Sequence, residues 1–304
     1  MFHADMFMGK GFDKNLIKHL KPKTVISGTR IEPPLHPNGK EKIIRDFGMY
    51  PEDFKEEEFN QFISKIQKSE KDKVTYGIFA PWICYKDEII EMGMHDQSFH
   101  SYHEDSDIFN RFVLNGVKLI QSRDALVYHL TCRGGIYQDG IEQITKDEKF
   151  HNMKNNAAKN YLRKWGTWIE NDEYQHPIIP PKYDIGFIVK NCNDSLLHAL
   201  EPWCSTIYIE DKKQVLTFDY FEKEKNNTIY DLSERVKPYD NEKQNEILVR
   251  IDGKIFNEED WKILMQLSEI IKDSGSIGSF QLGNLGIDII QMNEYQKDLI
   301  KIKQ

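Results

Sequence analysis

The stretch HEDSDIFNRFVLNG, residues 103–116, is the most informative part of the sequence for the fold. Its apolar residues repeat at helical spacing: Ile108, Phe109, Phe112 and Val113. This spacing predicts a helix whose apolar face packs on a core. The acids Glu104, Asp105 and Asp107 would then fall in the first turn, where carboxylates interact favourably with the helix dipole.

Short strands are predicted on both sides of this helix. ALVYHLTCRGG at 125–135 begins as an apolar strand, and similar strands are expected near residues 24–27 and 77–80. The segment 51–73 has apolar residues at roughly helical spacing among charges, which predicts an exposed amphipathic helix. Such a stripe more often faces a core than a partner protein. Alternating strands and helices predict an α/β fold for residues 1–135.

A proline-rich segment divides the rest of the chain. HPIIPPK at 176–182 disfavours helix and predicts an extended linker, so residues 136–182 form a helical connector that ends in this linker. Residues 183–304 alternate again between strand and helix patterns, which predicts a small C-terminal α/β module of unknown role. Asn257 is the expected N-cap of its long helix, and Gly275 is the expected stop.

Composition excludes several classes of protein. The 304 residues are 39% hydrophobic with a formal charge of −8, which favours a globular protein and disfavours a nucleic-acid partner. No apolar stretch reaches the ~18 residues of a membrane span. The four cysteines form no CxxC pair. These features and the polar N-terminus predict a cytoplasmic location.

Two short motifs contain residues suited to metal binding. His3 and Asp5 are two residues apart, so at the end of a strand both side chains would point to the same side. His129 lies in the strand 125–130. A lone strand histidine is usually a core residue, and the other possibility is a metal ligand.

The motifs together resemble the GT-A family 2 glycosyltransferases. Family 2 enzymes carry an ED dyad followed by an acid, an arginine and a glycine, and this chain has that order from Glu104 and Asp105 to Arg111 and Gly116. The resemblance implies that Asp105 is the general base and that Glu104 orients the acceptor, although the two roles can be exchanged. The alternative is that these acids only complement the helix dipole.

Further roles follow from the same resemblance. HADM is similar to the DxD motif, which implies a Mn²⁺ or Mg²⁺ ion held by His3, Asp5 and His129. Four residues would contact donor or acceptor, and these are Trp82, Asp96, Arg111 and Arg133. Trp82 is about as consistent with a buried position, and Asp96 with capping a turn.

The resemblance implies a partial GT-A (nucleotide-diphospho-sugar transferase-like) domain at 1–135. Its partners would be a nucleotide-sugar donor and a glycan or other hydroxyl acceptor. The segment that binds the nucleotide in these enzymes is expected to be missing, which predicts a truncated or split enzyme inactive without a separately encoded N-terminal half. The location would be the host cytoplasm if the gene is phage-encoded. A non-catalytic carbohydrate-binding or assembly protein is the main alternative, and a metal-dependent hydrolase is a weaker one.

Overall fold

Two mixed six-stranded sheets organise the residues that the computed structural model describes, which are 1–99, 102–131 and 148–302. The prediction of an α/β protein is confirmed at this level. Among these residues no helix is long and apolar enough to cross a membrane. Cys84, Cys192 and Cys204 are free thiols.

The first sheet is built around two long parallel strands. Its strands are β1 (Met6–Met8), β2 (Thr24–Glu32), β3 (Lys42–Ile44), β4 (Val74–Thr75), β5 (Trp82–Ile83) and β6 (Lys118–His129). The order is β1-β6-β2-β3, with β4 paired to β6 and β5 paired to β2. All nine residues of β2 are buried, as expected for a strand covered on both faces. The strand predicted at 77–80 is not formed, since β4 ends before it and β5 begins after it.

Four helices cover this sheet. They are α1 (Phe12–Ile17), α2 (Glu56–Ser69), α3 (Lys86–Glu91) and α4 (Glu104–Leu114). The predicted helix at 103–116 is therefore present as α4. The amphipathic helix α2 buries Phe59 and Ile63 in one cluster with Leu126 and Tyr128 of β6. Its apolar stripe thus faces the core, which favours the ordinary interpretation over a partner-binding helix.

The connector contains one long helix, α5 (Glu148–Trp165), and a two-stranded ladder of β7 (Glu170–Asn171) and β8 (Pro177–Ile178). Residues 136–147 of the predicted connector lie outside the described residues. Tyr161, Leu162 and Trp165 are buried, as expected from their spacing. Trp168 follows the end of the helix and is 44% exposed.

The second sheet forms the C-terminal module. Its strands are β9 (Ile185–Lys190), β10 (Thr206–Ile209), β11 (Val236–Pro238), β12 (Ile247–Asp252), β13 (Gly278–Leu282) and β14 (Leu285–Ile289), in the order β11-β10-β9-β12-β14-β13. Its helices are α6 (Asp194–Leu200), α7 (Val215–Glu224), α8 (Leu232–Arg235), α9 (Glu258–Met265) and α10 (Leu267–Ser274). The helix expected after Asn257 is divided in two, and the strand expected at its end is a hairpin.

Local signals in this module are confirmed. The Asn257 side chain accepts hydrogen bonds from the backbone of Glu259 and Asp260, and Asp260 accepts one from the backbone of Asn257 in return. Gly275 follows α10 with a φ of 57°, a conformation that favours glycine. Both features depend only on neighbouring residues, so sequence patterns predict them well.

A buried ion network joins α5 to the C-terminal module. Arg163 donates to Glu201 through Nε at 2.9 Å and Nη2 at 2.8 Å, and to Glu224 at 3.0 Å. Arg235 donates to Glu201 from the other side. Burial raises the pKa of Glu201, but the charges of Arg235 and Arg163 outweigh this effect and lower it to about 2. The connector is therefore tied to the second sheet by charges that have no access to water.

Candidate metal and acid-base site

The ends of three strands bring the candidate ligands together. Met6 pairs with His129 across antiparallel β1 and β6, and the Leu130 N–H donates to the Asp5 carbonyl at 3.0 Å. Parallel β2 and β6 place Glu32 beside His129, because Ile31 pairs with Tyr128. Glu32 and His129 are thus the last residues of two adjacent parallel strands, the edge where open α/β sheets bind ligands.

The predicted metal residues form one cluster. One ligand atom from each of His3, Asp5 and His129 lies within 4.8 Å of the others. Two atoms that each lie ~2.2 Å from one ion can be at most ~4.4 Å apart, and His129 Nε2 and Asp5 Oδ1, at 3.4 Å, meet this limit. The expectation that this motif follows a strand is wrong, because Ala4 and Asp5 form a turn and β1 begins only at Met6.

His129 is held between two carboxylates. Its Nε2 lies 3.4 Å from Asp5 Oδ1, and its Nδ1 lies 2.8 Å from Glu32 Oε1. Burial lowers the pKa of His129, but the hydrogen bonds and charges of Asp5 and Glu32 outweigh burial and raise it above the ordinary value. A negative environment of this kind favours either a proton or a metal ion on the ring.

The donor chemistry is compatible with a divalent transition metal. Two imidazoles and one carboxylate suit borderline ions such as Co²⁺ or Zn²⁺ best, and the harder Mn²⁺ binds such a nitrogen-containing set better than Mg²⁺ does. Of the two ions predicted from the sequence, the residues present therefore fit Mn²⁺ better. The nearby Arg30 guanidinium lies 3.6 Å from the centre of the Phe79 ring. The centres of the His3 and Phe79 rings are 6.0 Å apart, with the ring planes nearly perpendicular.

Asp105 lies next to this cluster. Its Oδ2 is 3.8 Å from His3 Nε2, and its Oδ1 is buried and has no hydrogen-bond partner among the residues that the structure describes. A buried carboxylate oxygen without a donor is uncommon and indicates a group that a ligand could satisfy. Helix α4 begins directly before it, where His103 adopts a left-handed φ of 67°.

The neighbouring Glu104 has a different environment. Burial raises the pKa of Glu104, and the charge of Asp105 contributes to the increase. Adjacent carboxylates in different environments can serve different functions.

The third acid of the motif is part of the interior. Asp107 is fully buried and accepts hydrogen bonds from Arg111 Nε at 2.9 Å and Trp165 Nε1 at 3.1 Å, while Lys164 Nζ lies 2.6 Å away. Arg111 also donates to the backbone carbonyls of Met92 and Met94. Asp107 and Arg111 therefore join α4 to α5. Arg111 also joins α4 to residues 92–94, in the loop that precedes α4. In this position the Arg111 guanidinium does not face a donor or acceptor site.

The other predicted contact residues are also placed. Trp82 is 3% exposed and packs edge-on against Phe109 and Phe112, so its ring faces belong to the core. Asp96 accepts from Ser98 within its turn and pairs with Lys164 at 2.7 Å. The structure therefore favours a buried core position for Trp82 and a role in the turn for Asp96, which are the alternatives stated above. Arg133 lies outside the described residues.

Sequence reasoning missed Glu32. It is the last residue of the apolar strand TVISGTRIE and is only 1% exposed. The one available signal was a charged residue at the end of a strand beside Arg30, followed by two prolines.

No family model, curated protein or solved structure matches the chain.

Proposed function

We propose that this chain carries the metal and acid-base residues of an inverting glycosyltransferase that moves a sugar from a nucleotide-sugar donor to an acceptor hydroxyl. One observation carries the proposal. His3, Asp5 and His129, which the motif resemblance nominated as metal ligands, lie in one cluster, and Asp105 lies beside it.

Asp105 is the proposed general base. An acceptor hydroxyl must lose its proton as it attacks the anomeric carbon, and a carboxylate oxygen without a protein donor can accept that proton. Asp105 Oδ1 is such an oxygen. The adjacent His3 keeps Asp105 close to the proposed metal ligands, where the attacked carbon must lie.

Glu104 is the proposed acceptor-orienting residue. Its carboxyl oxygens can accept hydrogen bonds from sugar hydroxyls, and it is adjacent to Asp105 in the first turn of α4. A divalent ion held by His3, Asp5 and His129 would supply positive charge to the departing diphosphate. The net charge of −8 makes such a cation important for an anionic donor.

The proposal is tested first by binding. Mn²⁺ is titrated into the protein and followed by electron paramagnetic resonance, alone and with UDP or GDP. We expect Mn²⁺ binding that His129→Gln abolishes, and tighter Mn²⁺ binding with one of the two nucleotides. Wild-type protein that binds no Mn²⁺ would refute the metal site. Mn²⁺ binding that neither nucleotide strengthens would count against a glycosyltransferase.

Measurements of turnover distinguish the proposed roles of Asp105 and Glu104. Release of nucleoside diphosphate is measured with UDP-glucose, UDP-galactose and GDP-mannose and a mixture of mono- and oligosaccharide acceptors, with the nucleotide-binding segment that the resemblance implies added as a separate polypeptide. Asp105→Asn should abolish release and leave Mn²⁺ binding within about threefold of wild type, since general-base catalysis contributes ~10²–10⁴-fold. Glu104→Gln should mainly raise the KM for the acceptor. Retained turnover in Asp105→Asn would contradict its role as the base.

A further inference from the structure

Glu32 contacts the candidate metal site without being one of the three clustered ligands. Its side chain is 2% exposed, and Oε1 lies 2.8 Å from His129 Nδ1. The same carboxylate accepts a hydrogen bond from Arg30 at 2.9 Å through Oε1 and from Lys42 at 3.0 Å through Oε2. Both of its oxygens are therefore engaged at the end of β2.

This contact determines which nitrogen of His129 can bind a metal. An ionised carboxylate only accepts hydrogen bonds, so the Nδ1 that faces Glu32 must carry a hydrogen. Each oxygen of Glu32 already accepts a hydrogen bond from a cationic side chain, Arg30 at Oε1 and Lys42 at Oε2, so this group is an acceptor toward Nδ1. A neutral His129 ring then has its lone pair on Nε2, the nitrogen that faces Asp5 at 3.4 Å.

We propose that Glu32 is a positioning residue that fixes His129 as an Nε2 metal ligand. The inference rests on the metal site of the proposed function. A carboxylate that accepts from the second nitrogen of a ligating imidazole fixes the ring orientation and increases its basicity, and loss of such a partner weakens metal binding ~10–100-fold.

The surrounding charges keep Glu32 itself in place. Arg30 also donates to Glu41 at 3.0 Å, and Glu41 is only 3% exposed. The cationic side chains of Arg30 and Lys42 thus hold both oxygens of the Glu32 carboxylate in place. Arg30 and His129 both contact Oε1 whereas Lys42 contacts Oε2, so the amide of Glu32→Gln that keeps its oxygen toward Lys42 turns its NH₂ toward Arg30 and His129. That NH₂ would favour a hydrogen on Nε2 instead and remove the lone pair that a metal needs.

The first test requires no metal. The ring nitrogens of His129 are observed by ¹⁵N NMR in the metal-free protein at a pH where the ring is neutral, and its signals are assigned by their loss in His129→Gln. We expect the Nδ1–H tautomer in the wild type and a shift toward Nε2–H in Glu32→Gln. A wild-type ring with its hydrogen on Nε2 would overturn the proposal, even if the variant does not fold.

The second test compares metal affinity. Mn²⁺ titrations are run on the wild type, Glu32→Gln and Glu41→Gln, after circular dichroism has confirmed the fold. Glu41→Gln is the matched control because it alters the same buried ion network without touching His129. We expect a Kd raised ~10–100-fold for Glu32→Gln and less than about threefold for Glu41→Gln. Equal effects in both variants, or an unchanged Kd in Glu32→Gln, would overturn the positioning role. Absence of Mn²⁺ binding in the wild type would instead refute the proposed metal site.

Discussion

Asp107→Asn should destabilise the protein far more than Asp105→Asn, although the two residues lie in the same turn of α4. Asparagine preserves the shape of Asp107 and can still accept from Trp165. It removes the negative charge that faces Arg111 at 2.9 Å and Lys164 at 2.6 Å. Both of these cations are buried, with Arg111 completely inaccessible to water.

The contacts of each aspartate determine how far its substitution lowers the free energy of unfolding. Breaking a buried ion pair by removing one partner costs about 3–5 kcal/mol, because a charge is left uncompensated. Lys164 keeps a second carboxylate, Asp96, at 2.7 Å, so the cost falls mainly on Arg111 and should lie near the lower end, about 3 kcal/mol. Asp105 pairs only loosely, with His3 at 3.8 Å, and stands at a helix start. Its neutralisation should cost about 0.3–1 kcal/mol.

Urea unfolding measures both free energies of unfolding. Trp165 donates to Asp107, so tryptophan fluorescence reports on this site, and circular dichroism reports on the whole chain. We expect the Asp107→Asn midpoint to fall clearly with an unchanged slope, and the Asp105→Asn midpoint to stay close to wild type. A loss below about 1 kcal/mol for Asp107→Asn would show that Arg111 and Lys164 are compensated without it. Equal losses in both variants would refute the separation into structural and catalytic acids.

Three further outcomes follow from single sites. Burial lowers the pKa of His103 to about 4, so the unfolded chain binds a proton before the folded chain does as the pH falls below 6.5. After a discount for partial exposure, about 1–2 kcal/mol of stability should be lost between pH 6.5 and 4, and less in His103→Asn. Thermal unfolding measured as a function of pH checks this loss. Arg163→Leu should lower the free energy of unfolding by about 3 kcal/mol because Glu201 loses one of its two arginines, and urea midpoints would check this. Asn257→Ala should cost about 1 kcal/mol through loss of the N-cap, whereas an unchanged thermal midpoint would show that the cap contributes nothing.

Features set by neighbouring residues were predictable from the sequence. Helix α4 follows from four apolar residues in register, and the cap at Asn257 follows from its side chain and the acids after it. The C-terminal segment 278–289 forms the hairpin of β13 and β14, with the turn at Gly283 in a left-handed conformation, although Gly283 and Asn284 are residues typical of a turn. The burial of Trp82 was also undetermined, since an aromatic residue near a strand suits either a core or a sugar platform.

The contacts of the site depend on pairing between distant segments. Asp5 meets His129 because β1 pairs antiparallel with β6 in the register Met6 to His129, a separation of more than a hundred residues. A shift of one residue would turn His129 to the opposite face of the sheet. The motif resemblance predicted Asp5 and His129 as metal ligands, although it contains no information on this strand register. Glu32 belongs to no quoted motif, so only the parallel pairing of β2 with β6 places it there.

The three acids of α4 differ in function because each meets different neighbours. Asp107 points to the connector, where Arg111 and Lys164 neutralise it, and this contact fixes the helix. Asp105 points to His3 and has an oxygen that no group in the described part of the chain satisfies. The buried contacts at Asp107 hold the start of α4 in place, so Asp105 need not contribute to stability. That separation lets the acid proposed for catalysis keep an oxygen without a protein donor, at a cost that the rest of the helix offsets.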